Sequence, residues 1–120
     1  MRRRRWAIRL GGEAARDFIS VLRWTAETFG RRQATTYRAT ILSALQALES
    51  GPAILGAKSR EDIGEGVRTL HVARGGRKGR HFILFRQSAP DTLDVLRILH
   101  DSMDLAQHLP PDNHSDRDDG

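Results

Sequence analysis

No cysteine occurs in this sequence. Disulfides, thiolate metal sites and thiol catalysis are therefore excluded. Long apolar runs are also missing. The longest is Phe82-Ile83-Leu84-Phe85, far short of the roughly 20 residues that a membrane-spanning helix needs. Aromatic residues amount to only 6%, with a single tyrosine, Tyr37. They fall on apolar stripes rather than among the arginines, which argues against recognition of single strands by base stacking. No phosphate-binding Walker loop, H-E-x-x-H or G-x-S-x-G is present. The five histidines, His71, His81, His100, His108 and His114, include no pair at helical i, i+4 spacing. Neither a metal nor a cofactor is expected.

Positive charge is what the chain has in excess. Residues 1–60 carry 12 Lys/Arg against 4 Asp/Glu, residues 61–109 carry 7 against 7, and residues 110–120 carry one Arg against 4 Asp. The balances of +8, 0 and −3 sum to the net charge of +5. A basic front half favours a polyanionic partner: nucleic acid, a nucleic-acid machine, or an acidic protein. Arg2 to Arg5 resemble the start of a signal peptide. Arg9, Gly11, Gly12 and Glu13 interrupt the apolar stretch that export would need, so a cytoplasmic protein is expected.

At 120 residues and 13.5 kDa the chain is one domain's worth. Trp6, Ile8 and Leu10 alternate as a short strand does. Gly11-Gly12 breaks it, with Gly12 as a candidate helix cap. Ala14, Ala15, Phe18, Ile19, Leu22, Ala26 and Phe29 then recur at helical spacing, predicting an amphipathic helix over about 13–29. After Gly30, a second helix is expected from near Gln33, with Ala34, Tyr37, Ile41, Ala44, Leu45 and Leu48 on its apolar face. Gly51-Pro52 stops it. Residues 51–66 read as a surface loop. Three strands follow, over Val67–Arg74, His81–Gln87 and Leu93–Leu99. The first two are joined by a glycine-rich hairpin, Gly75-Gly76-Arg77-Lys78-Gly79, and the last two by Ser88-Ala89-Pro90-Asp91. A short helical segment is expected from Met103 through Leu105 to Leu109. The fold class is α+β: an N-terminal strand, an antiparallel helical hairpin on a small, mainly antiparallel sheet of about four strands, and a short C-terminal helix. Residues 1–109 form the single domain, and residues 110–120 are expected to be an acidic disordered tail.

Two groups of residues invite a functional reading. Arg74, Arg77, Lys78, Arg80 and His81 gather at one end of the expected sheet as a cationic tip. His100-Asp101 follows a strand end, where a histidine can serve as acid or base or as a hydrogen-bonded corner.

The chain resembles the ParE/RelE toxin superfamily of bacterial type II toxin–antitoxin modules, and within it the ParE, plasmid-stabilisation branch. Ala14-Ala15-Arg16-Asp17-Phe18-Ile19 and Phe29-Gly30 resemble the family's first helix and its turn. Ala34, Tyr37 and Ile41 to Leu48, closed by Pro52, resemble the second helix. Gly66-Val67-Arg68 and Gly79-Arg80-His81-Phe82-Ile83-Leu84-Phe85-Arg86 resemble the sheet. Val95-Leu96-Arg97-Ile98-Leu99-His100-Asp101-Ser102-Met103-Asp104, with His108-Leu109, is the most specific piece.

The resemblance implies a cytoplasmic bacterial toxin that inhibits DNA gyrase without chemistry of its own and is neutralised by a ParD-like antitoxin in a hetero-oligomer. On that reading the target-binding residues are Arg68, Arg74, Arg77, Lys78, Arg80, Arg86, Arg97 and His100. Trp24, Ile41, Leu45 and Leu48 serve the core or the antitoxin. The alternative is a RelE-like endoribonuclease that cuts mRNA on the ribosome with His100, Arg68 and Arg86. Such sites often carry an aromatic hydroxyl near the chain end, where this sequence has none. A third class, a basic DNA-binding adaptor, follows from charge alone.

Overall fold

The structure, a computed structural model, describes residues 5–108. The expected acidic tail, 110–120, and most of the Arg2 to Arg5 run lie outside them. The elements are β1 (Ala7–Leu10), α1 (Gly12–Phe29), α2 (Arg31–Ala47), β2 (Lys58–Ser59), β3 (Arg68–His71), β4 (His81–Ala89) and β5 (Thr92–His100). Single 3₁₀ turns follow α2 at Leu48–Ser50 and β5 at Leu105–His108. The α+β class holds, and the sheet has five strands in the order β1-β5-β4-β3-β2. The additional strand, β2, has two residues and lies within the segment expected to be loop. The expected C-terminal helix is the 3₁₀ turn.

β1 pairs in parallel with β5, from Ala7 opposite Thr92 to Leu10 opposite Val95. All other pairings are antiparallel. β4 and β5 form the centre, with residues from both strands on each buried face. On one face Ile83, Phe85, Leu93, Val95 and Ile98 pack with Ala14, Tyr37, Ile41, Ala44, Leu45 and Leu48 of the helical layer. On the other, Leu84 and Leu99 meet Ile63, Val67 and Leu105. The Ile63 loop and the final 3₁₀ turn thus cover part of the face that the helices leave open.

The helices are joined by one residue. Gly30 adopts φ 99° and its N–H bonds to the Ala26 carbonyl, ending α1, while α2 begins at once with Arg31. A side chain at that φ is strained, which is why a glycine holds the corner. α2 buries the stripe that its spacing predicts. α1 buries less of its own: Ala14 is inaccessible, but Ile19 and Phe29 are 55% and 64% exposed.

β1 covers β5 only as far as Val95, whose carbonyl takes the Gly11 N–H at 3.0 Å. Beyond it, α1 supplies a side chain instead of a strand. The Asp17 carboxylate accepts the Ile98 N–H at 2.9 Å and both faces of the Arg97 guanidinium fork, at 2.7 Å from Nε and 3.0 Å from Nη2. Both side chains are largely buried, 15% and 18% exposed. Hydrogen bonding to Asp17 holds the Arg97 guanidinium above its ordinary pKa.

Removing one partner of a largely buried pair leaves a charge and an N–H unsatisfied. Asp17→Ala is expected to lower unfolding stability by about 2–4 kcal/mol, read as a lower urea midpoint at constant m. Glu13→Ala, which removes an exposed pair with Arg16, is expected to cost less than about 1 kcal/mol in the same titration.

Candidate functional site

The end of the sheet where β4 begins and β5 finishes holds a concentration of polar side chains, set by register. His81 lies opposite His100, and His71 opposite Phe82, so three histidines converge there. The His81 and His100 rings meet edge to face at 5.3 Å.

Tyr37 anchors this end from α2. The Arg80 N–H donates to its hydroxyl oxygen at 2.9 Å, so the hydroxyl proton goes to His81 Nδ1 at 2.7 Å. His81 is 9% exposed, and burial, with the neighbouring His100, lowers its pKa from 6.5 to about 4. It is thus a neutral acceptor near pH 7 and not part of the cationic tip. Burial pushes the Tyr37 hydroxyl up from its ordinary pKa. The tyrosine is a structural donor here, made possible by Gly79. A Cβ on Gly79 would come within 2.5 Å of Val72 Cγ2 and 3.0 Å of the Tyr37 ring and hydroxyl.

Asp101 organises the adjoining groups. His71 accepts the Ala73 N–H at Nδ1, so Nε2 carries its proton and donates to Asp101 Oδ2 at 2.9 Å. Arg80 donates Nε to both oxygens of the same carboxylate, at 3.2 and 3.3 Å. These two partners hold Asp101 below the usual carboxylate range. His100 Nδ1 accepts the Ser102 N–H at 3.1 Å, so the neutral ring carries its proton on Nε2. The ring is 38% exposed.

Tyr37, His81 and His100 form the floor of a groove of about 570 Å³ between the helical corner and the β3–β4 hairpin. One wall is Trp24, Thr25, Phe29 and Gln33. The other is Ala73, Arg77, Lys78, Gly79 and Arg80, with Tyr37, His81 and His100 between them. Trp24 and Phe29 are 57% and 64% exposed and pack edge to face at 5.7 Å. No carboxylate is among the lining residues. The hairpin that carries Arg77 and Lys78 turns through Gly75 and Gly76, at φ 57° and 83°, as its glycines predict.

The remaining expected site residues are distributed elsewhere. Arg74 is partly buried, with one Nη1 lacking a hydrogen-bond partner. Arg68 and Arg86 line a different cleft, of about 620 Å³, at the other end of the sheet. Arg68 donates to the Pro52 carbonyl and Arg86 to the Glu65 carbonyl. Arg86 lies five positions along β4 from His81, about 17 Å at a rise of ~3.4 Å per residue, and Arg68 is paired with Phe85. The trio His100, Arg68 and Arg86 is therefore not brought together. Arg97 is engaged by Asp17 and does not face the groove. Ile41 and Leu48 are inaccessible and Leu45 is 8% exposed, so these three are core residues, whereas Trp24 is exposed. The part played by Tyr37 escapes sequence reading. Its place on the α2 stripe predicts burial, but its partners are distant in sequence.

A family model described as the ParE toxin of the type II toxin–antitoxin system parDE matches residues 8–105. No curated protein matches the chain by sequence. Among solved structures, a chain of the chromosomal ParDE toxin–antitoxin system from P. aeruginosa is similar with a TM-score of 0.62 at 20% identity, over 79% of this chain and 95% of that one. A chain of the RelBE2 toxin–antitoxin complex from Mycobacterium tuberculosis gives 0.51 at 21% identity, over 80% and 98%. The YoeB/ParE toxin from Agrobacterium tumefaciens gives 0.52 at 13% identity, over 78% and 96%.

Because His81 takes up its proton more readily unfolded than folded, stability is expected to fall as pH drops from 6.5 to about 4, by up to about 3 kcal/mol. His81→Asn, which keeps an acceptor near Tyr37 but does not titrate, is expected to flatten that slope in urea titrations across the window. At pH 7, Tyr37→Phe leaves the Arg80 N–H and His81 Nδ1 unpaired and is expected to cost about 1–3 kcal/mol.

Proposed function

Since this chain belongs to the ParE toxin family of type II toxin–antitoxin systems, we propose that it acts as a DNA gyrase inhibitor, held inactive by a ParD-like antitoxin. The observation that carries this reading is the separation of Arg68 and Arg86 from His100. Cleavage of RNA needs an acid or base and cations gathered at one phosphate. The set expected for it stands at opposite ends of the sheet. Binding has no such requirement. A groove with two exposed aromatic rings on one wall and Arg77, Lys78 and Arg80 on the other suits a macromolecular partner with apolar and anionic groups. Trp24 and Phe29 are the apolar anchors, and Arg77, Lys78, Arg80 and His100 are the polar contacts. Toxin and antitoxin assemble in the cytoplasm as a hetero-oligomer on this reading, and Arg74 adds to the positive field at the hairpin.

One observation favours a second reading. The tyrosine that is absent from the end of the chain is supplied by α2, and Tyr37, His81, His100, Arg80 and Lys78 line one groove. A ribonuclease built from that set would use His100, through its Nε2 proton, as the acid and Arg80 and Lys78 to offset phosphoryl charge.

The test is supercoiling of relaxed plasmid by gyrase in the presence of the antitoxin-free protein, beside an in vitro translation reaction. Loss of supercoiling with translation intact is expected, and Arg77→Glu with Lys78→Glu is expected to weaken it at least about tenfold, the equivalent of about 1.4 kcal/mol. Intact supercoiling with cleaved mRNA, abolished by His100→Ala, would move the assignment to the ribonuclease.

A further inference from the structure

The groove has a cationic wall without matching acids. Among the described residues, Arg77 and Lys78 have no ion pair, and Arg80 shares Asp101 with His71 while its own side chain remains 70% exposed. An apolar surface next to unmatched cations is a place where an anionic segment gains both contact and charge. This chain carries such a segment. Residues 109–120 read Leu-Pro-Pro-Asp-Asn-His-Ser-Asp-Arg-Asp-Asp-Gly, with four aspartates against one arginine. Asp116, Asp118 and Asp119 suit the basic wall.

Where the described chain ends makes the match reachable. β5 finishes at His100, which lines the groove, and Leu105 of the closing 3₁₀ turn packs against Leu99 on the opposite face of the sheet. From His108, Asp116 to Asp119 are 8 to 11 residues away. Extended chain spans at most about 3.3–3.6 Å per residue, hence about 26 to 40 Å, against a layer spacing of about 10 Å to be rounded at the sheet end. A tethered segment of this length also acts at an effective concentration in the millimolar range, so weak contacts suffice.

We propose that the acidic C-terminal segment, residues 110–120, docks in the groove between Trp24, Phe29 and the Arg77–Arg80 wall, and so competes with any external partner for it. The proposal rests on the reading of this groove as the partner-binding surface. Because its test reads the isolated chain, it stands or falls separately from the supercoiling result. Self-occupancy lowers apparent partner affinity by the fraction of chains whose groove is filled.

The absence of native cysteine makes the experiment direct. Ser115→Cys introduces a single thiol for a nitroxide label in the full chain, and amide and indole NMR signals report which residues lie near it. At low salt the Trp24 indole and the amides of Phe29, Lys78 and His100 are expected to lose most of their intensity, while Lys58 and Ser59 at the far sheet edge keep theirs. Salt shortens the screening length from about 10 Å at 0.1 M to about 3 Å at 1 M, and intensity is expected to recover there. It is also expected to recover at low salt when Asp116→Asn, Asp118→Asn and Asp119→Asn are combined. Broadening that is uniform over the surface, or that ignores both salt and the triple substitution, would overturn the proposal. So would broadening that vanishes on dilution with unlabelled chain, which would assign the groove to a second copy. Groove signals untouched by the label would leave the groove to an external partner and would equally reject the tail.

Discussion

The attachment of α1 to β5 through Asp17 is the contact on which the placement of the groove depends. β5 has a strand partner on its outer side only as far as Val95, where β1 stops. From there the open edge would present unpaired backbone groups. One carboxylate meets that need by accepting the Ile98 N–H and the Arg97 fork together. It thereby sets the height of α1 on the sheet. Gly30, one residue long as a connection, then fixes where α2 starts. The aromatic end of α1 and the Tyr37 turn of α2 are both carried to the end of the sheet where β4 begins.

At that end, the polar groups satisfy one another before they face solvent. Tyr37 is donor to His81 and acceptor from Arg80, and Asp101 is acceptor from His71 and Arg80. Such a network has little freedom, because each buried polar atom that lost its partner would carry a desolvation cost. The consequence for function is a division of labour. His81 is buried and neutral, whereas the more exposed His100, with Arg77 and Lys78, remains at the groove surface. The groove is therefore a rigid floor with a basic rim and two projecting aromatic rings, a form suited to binding a partner. Strand register places the second cleft, with Arg68 and Arg86, about 17 Å along the sheet from this network.

Much of the fold was legible in local pattern. The α2 stripe from Tyr37 to Leu48, the apolar strand His81 to Phe85, the two glycine-marked turns at Gly30 and Gly75-Gly76, and the stop at Gly51-Pro52 each follow from periodicity or from glycine and proline chemistry. Less was legible where tertiary contact competes with local preference. β2 has two residues and no pattern of its own, since it exists only because Lys58 and Ser59 find Thr69 and Arg68 as partners. Ile19 and Phe29 belong to an apolar stripe but are exposed, because α1 meets the sheet along a narrower face than its stripe would cover.

The candidate site divides in the same way. Composition and order alone determined that the chain has a basic front half, an α+β layer, a glycine-rich cationic hairpin and a histidine at the end of its last strand, since each is a matter of residue type and near spacing. Only the tertiary structure decided which cations act together. Arg97 looked as available as Arg80 until Asp17, 80 positions away, engaged it, and Arg68 and Arg86 looked like companions of His100 until strand register placed them about 17 Å along the sheet. Charge is carried by single residues and can be counted along a chain. A shared site is a property of register and packing between segments distant in sequence, and those exist only once the sheet has formed.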